Sequence, residues 1–158
     1  MDEMYRNFAI IFTILIFLLA AAAYFFLGFG RGIVLKKATV TVKGHEFQVQ
    51  IADNLASRTR GLSGRDALAE NEGLYFIFQK PDMYGFWMKD MNFPIDIIWI
   101  KDGKIVSVTE NAKPEPTKSL FSLPIFYPSD PVDRVLEVNG GLAAKYGFSA
   151  GDPVTINF

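Results

Sequence analysis

Three patterns of apolar and polar positions succeed one another along this chain. From Phe8 to Phe29 there is no charge at all. The stretch exceeds the roughly 20 apolar residues that cross a bilayer core, and in lipid a helix is the form that satisfies its own backbone. The apolar run continues past Ala20-Ala21-Ala22-Ala23 through Tyr24-Phe25-Phe26-Leu27, longer than the core of a cleavable signal peptide. Residues 1–32 therefore read as a single-pass membrane anchor ahead of a domain spanning 33–158.

Beyond it the period drops to two. Phe47, Val49 and Ile51 share one face of a strand and Glu46, Gln48 and Gln50 the other, so Ile33–Val42 and Glu46–Ile51 form a hairpin turned at Lys43-Gly44-His45. Asp53 or Asn54 caps a short helix over Leu55–Leu62 that ends near Gly61, and a second helical turn is expected over Asp66–Asn71. Gly73–Gln79 is apolar on both faces and predicts a central strand, broken by Lys80-Pro81-Asp82. Gly85–Met88 is a short strand. After the Asn92-Phe93-Pro94 turn, Ile95–Lys101 and Lys104–Thr109 form a hairpin across Asp102-Gly103.

The third pattern is irregular. Glu110–Pro128 carries Pro114, Pro116, Pro124 and Pro128 without periodicity, yet Leu120–Tyr127 is apolar enough to require a packing partner. Arg134–Asn139 (strand), Gly140–Tyr146 (helix) and Pro153–Phe158 (strand) complete the chain. The sum is a mainly β (α+β), compact, small β-barrel-like domain with two or three short helices.

Charge narrows the function classes. Apart from Asp2, Glu3 and Arg6, 15 basic residues balance 15 acidic ones, and no basic stripe is present, so nucleic acid is not an expected partner. The absence of cysteine removes thiolate chemistry, and His45 stands alone in a turn, so no metal and no cofactor are expected. Gly61-Leu62-Ser63-Gly64-Arg65 lacks the Gly-Lys-Ser/Thr ending of a phosphate loop.

Chemistry concentrates where charge interrupts apolar runs. Asp96 shares a strand face with Ile98 and Ile100, where an ionised carboxylate needs backbone donors, a cation such as Lys89, Arg58, Arg60 or Arg65, or a proton. Backbone N–H groups of the Asn92-Phe93-Pro94 turn would make it structural; a cleft would make it functional. Glu137 lies within Val135-Leu136-Glu137-Val138-Asn139, facing water on a half-exposed strand or, if that strand neighbours the strand of Asp96, completing an acid and base pair. Trp87 and Met88 beside Lys89 read as core or as a ligand-stacking edge.

Several blocks in order, among them Arg60-Gly61-Leu62-Ser63-Gly64-Arg65, Phe86-Trp87-Met88, Pro94-Ile95-Asp96-Ile97-Ile98-Trp99-Ile100 and Val135-Leu136-Glu137-Val138-Asn139-Gly140-Gly141, resemble domain-of-unknown-function family 192, a widespread prokaryotic family. The resemblance implies a compact, mostly β domain, an export signal ahead of it and hence an extracytoplasmic position, and an open biochemical role. The leading expectation is a non-catalytic, membrane-tethered module at the cell envelope that binds a small ligand or a protein in a groove beside Trp87, Lys89, Asp96 and Glu137, roofed by residues 110–128. One alternative is an envelope hydrolase or lyase using Asp96 and Glu137; another is an accessory subunit that docks a membrane partner through residues 120–126.

Overall fold

The computed structural model describes residues 35–158 and Ile16. The expected anchor otherwise lies outside the described residues, among which no helix is long and apolar enough to cross a membrane. Residues 35–158 form one compact unit.

The first hairpin joins β1 (Lys37–Val42) to β2 (His45–Ala52). Its two-residue turn places Lys43 and Gly44 at φ +49° and +83°, the left-handed pair that matches strand twist. Asn54 then caps α1 (Leu55–Arg60). Its side chain accepts from the Ser57 N–H at 3.0 Å while the Ser57 hydroxyl accepts from the Asn54 N–H at 3.2 Å, a reciprocal capping box, and Gly61 ends the helix. This short crossover returns the chain parallel to β2 as β3 (Glu72–Asp82).

Three expectations are corrected here. Residues 66–71 form no helical turn, because the Asn139 side-chain amide donates to the carbonyls of Leu68 at 2.8 Å and Ala69 at 3.1 Å and holds the segment open. Lys80-Pro81-Asp82 does not end β3; a register shift between Ile77 and Asp82 keeps the strand going past a proline that lacks an N–H. Nor is the 110–128 segment wholly irregular. It contains a 3₁₀ turn (Leu120–Ser122) and β7 (Ile125–Phe126), which pairs with β4 (Phe86–Trp87) as a two-stranded ribbon.

The remaining strands are β5 (Ile95–Lys101), β6 (Lys104–Ala112), β8 (Val132–Asn139) and β9 (Val154–Asn157), with α2 (Leu142–Tyr146) between the last two. Seven of the nine form one sheet in the order β6-β5-β8-β3-β2-β1-β9. The sheet curls into a half-barrel whose edges meet at one corner, where Lys104 bridges Pro153 and the Ile105 N–H donates to the Asp152 carbonyl at 2.9 Å.

Curling gives the sheet two apolar faces. The inner one draws Val40, Phe47, Ile98, Ile105, Leu136 and Val154 from six strands and is plugged by Leu142, Ala143 and Phe148. The outer one carries Leu74, Phe76, Ile97, Trp99 and Val135 beneath Leu62, Phe86, Met88 and Met91. Because side chains alternate across a strand, neighbouring residues of β3, β5 and β8 serve opposite cores.

Packing between β2, β3 and β8 is tight enough to demand glycine at position 73. A Cβ there would lie 2.8 Å from the Glu137 carbonyl oxygen and 3.1 Å from a Leu136 methyl. Gly73→Ala is therefore expected to cost about 2 kcal/mol, read as a shift in the urea midpoint at unchanged slope.

Candidate functional site

Register decides what the two buried carboxylates can do. Asp96 on β5 stands opposite Val138 of β8, while Ile97 stands opposite Glu137. Directly paired residues share a face, so Glu137 projects with Ile97 to the outer side of the sheet and Asp96 to the inner side. The acid and base pair that neighbouring strands could have allowed is not formed: the strands are neighbours, but the carboxylates are separated by the sheet.

Asp96 is fully buried and satisfied by backbone. One oxygen accepts from the N–H of Asn111 at 2.7 Å and of Gly141 at 3.0 Å; the other accepts from the N–H of Ala143 at 2.7 Å. Three charge-assisted bonds tie β5 to the end of β6 and to the start of α2. The donors are not those of the Asn92–Pro94 turn, and among the described residues no lysine or arginine pairs with the carboxylate; Arg58, Arg65 and Lys89 are engaged elsewhere. Asn111 takes φ +51° to present its N–H, and Gly140 fits where a Cβ would lie 2.9 Å from the Asn111 side-chain oxygen.

Glu137 is buried to 5% exposure between Leu74 of β3 and Ile97 of β5, both fully buried. Among the described residues its Oε2 has no hydrogen-bond partner. Burial pushes its pKa up to about 8, with the nearby Arg65 guanidinium pulling weakly the other way; Arg65 spends a donor on Gln50 Oε1 at 2.7 Å instead. Near neutral pH this carboxyl is largely a neutral acid, able to donate as well as accept. It does not face water.

Glu137 lines a cleft of about 740 Å³ on the outer face. Leu62, Phe76, Phe86 and Met91 line the same cleft and are buried, while Phe78 and Tyr84 stack at 3.6 Å between ring centroids beside them. Residues of α1 and the Gly61-Leu62-Ser63 turn form one wall; β4 with the preceding Tyr84-Gly85 forms another. Trp87 stands on this second wall, 43% exposed, whereas Met88 is core.

Of the four residues singled out from sequence, Trp87 and Glu137 share the cleft and Asp96 lies behind the sheet. Lys89 does not line it: its ammonium pairs with Asp90, and its carbonyl accepts from the Ser63 hydroxyl at 2.8 Å, steadying the turn behind the wall. Among the described residues, none from the 110–128 segment expected as a roof lines the cleft. Its β7 backs β4 instead, with Ile125 and Tyr127 packed against Gly85, where a Cβ would come within 2.8 Å of an Ile125 methyl. Among the described residues, no group of three or more histidine, cysteine or acidic side chains could hold a metal ion.

Sequence reasoning missed Arg58, Arg60 and Lys80 as cleft residues. Arg58 sits 5.1 Å over the Phe78 ring and donates to the Ile77 carbonyl at 2.7 Å, docking α1 on β3. The Arg58-Thr59-Arg60 sequence at a helix end was the available signal.

A family model, DUF192, described as uncharacterized ACR, matches residues 38–156. A protein of unknown function from Novosphingobium aromaticivorans, solved as a crystal structure, is similar at 33% identity and a TM-score of 0.68, over 80% of this chain and 88% of that one. A protein from Sinorhizobium meliloti, described as a candidate transcription regulator, is similar at 29% identity and a TM-score of 0.71, over 78% of this chain and 96% of that one. Among curated proteins none matches the chain.

Proposed function

Since the chain belongs to the DUF192 family, whose biochemical role is open, the reading must come from its own site, and we propose that it is a binding module for a small, largely apolar ligand. One observation carries this: a buried carboxyl with an unpartnered oxygen at an aromatic cleft. An orphaned buried polar atom costs about 1–3 kcal/mol, and a ligand acceptor meeting the Glu137 proton recovers it. Apolar walls with one convergent polar group are the ordinary make-up of a small-molecule site.

The run from Phe8 to Phe29 supports a membrane tether, with the β domain on the extracytoplasmic side. A C-terminal alkaline phosphatase fusion is expected to be active, and an inactive, stably expressed fusion would place the domain in the cytoplasm. Docking through residues 120–126 is the second reading: the ribbon with β4 engages the backbone of Ile125 and Phe126 and leaves the Phe121 and Ile125 side chains exposed.

The chain has two tryptophans, and they report the site separately. Trp99 is fully buried, its indole N–H donating to Thr109 Oγ1 at 3.0 Å, while Trp87 stands on the cleft wall. A library of aromatic fragments followed on the two indole N–H resonances is expected to move the Trp87 signal and leave that of Trp99. Fragments that bind without moving Trp87, or none that bind, would remove the cleft as the site.

A further inference from the structure

The cleft's charges bear on what the ligand carries. Among the described residues three cationic side chains line it, Arg58, Arg60 and Lys80, and one acid, Glu137. Burial keeps Glu137 mostly protonated at neutral pH, so it supplies little opposing charge. Arg60 and Lys80 are exposed, which puts them at the mouth, and among the described residues neither forms a salt bridge. The guanidinium of Arg58 is held by two carbonyls, those of Ile77 and Asp53, which fix its position without neutralising it. The apolar floor and the cationic mouth lie in one continuous cavity, so a molecule long enough to touch both would be amphipathic.

From this we infer that the ligand is a small amphipathic anion, its apolar or aromatic body lying over Phe76, Phe86 and Trp87 and its single carboxylate or phosphate head held between Arg60 and Lys80. The inference rests on the cleft being the binding site. The body reaches toward Glu137, whose proton meets an acceptor atom on it or a water carried in with it. The head stays partly solvated, where guanidinium and ammonium groups attract an anion without a large desolvation cost.

The test uses the full chain in phosphatidylcholine nanodiscs, with empty nanodiscs as blanks, and calorimetry with three probes on one aromatic body: 2-naphthoate, 2-naphthyl phosphate and the uncharged 2-naphthamide. The expected result is that at least one anion binds about ten-fold more tightly than the amide, the tighter of the two identifying the head group. R60Q/K80Q, two changes at exposed side chains, should bring that anion's affinity down to that of the amide. Equal affinity of amide and anions would overturn the anion assignment and leave the cleft as an apolar site. Binding of none of the three would overturn the anion assignment and the cleft reading together. An anion preference that survives R60Q/K80Q would also count against the proposal, because the head would then be held elsewhere.

Discussion

Asp96→Asn is expected to lower stability by about 3–5 kcal/mol. The carboxylate receives three backbone N–H groups and offers both oxygens to them. An asparagine keeps one acceptor oxygen and turns an NH₂ toward at least one donor, so a bond is replaced by a clash of like dipoles. Asn111, Gly141 and Ala143 belong to different parts of the chain, so the damage spreads to the end of β6 and the start of α2. Urea unfolding should show the loss, and amide exchange should quicken first in Leu142–Tyr146. A variant within 1 kcal/mol of the parent would show that the three bonds do not hold this corner.

Glu137→Gln should act in the opposite direction, and its effect should depend on pH. The folded pKa of about 8 stands above the ordinary 4.5, so the folded chain retains a proton that the unfolded chain gives up. For such a group stability is greatest below the unfolded value, falls as pH rises from about 4.5 to about 8, and levels off above, where both states are ionised. At about 1.4 kcal/mol per pH unit, the fall amounts to about 5 kcal/mol. Glutamine has the shape of the neutral acid and no proton to lose. The variant should match the parent near pH 4.5 and exceed it by about 5 kcal/mol at pH 9, in denaturation series run at both values. Parallel pH profiles would mean that Glu137 is not buried as an acid. The cost that the parent carries at neutral pH is what a binding site retains and a purely structural position has no reason to keep.

Much of the fold was legible in local pattern. The Lys43-Gly44 and Asp102-Gly103 turns, the Asn54 cap and the alternation in β2 are short-range signals, and each element formed within a few residues of its expected place. The failures came from partners distant in sequence. Asn139, about 70 residues away, holds residues 68–69 out of a helix, and β4 gives residues 125–126 a strand to pair with. The site divided along the same line. Asp96 and Glu137 were recognisable as carboxylates out of place, but their faces depend on the pairing of β5 with β8, and a one-residue change in that register would have put them together. Lys89 looked like a site residue because it stands two positions from Trp87; β4 ends at Trp87, and the Asp90 partner holds the Lys89 ammonium outside the cleft. Arg58, Arg60 and Lys80 were each visible as charges, and only the packing of α1 against β3 makes them one cationic mouth.

The central claim is that the outer face of the sheet, around Glu137 and Trp87, binds a ligand, and that the inner face, around Asp96, holds the fold together. Its most direct test is a backbone amide shift map of the ¹⁵N-labelled protein titrated with 2-naphthoate. Perturbations are expected to cluster in α1, at Leu62, along Phe76–Lys80, in β4 and at Glu137, with Asn111 and Leu142–Tyr146 unmoved. A map centred on Asn111, Gly141 and α2 would contradict it.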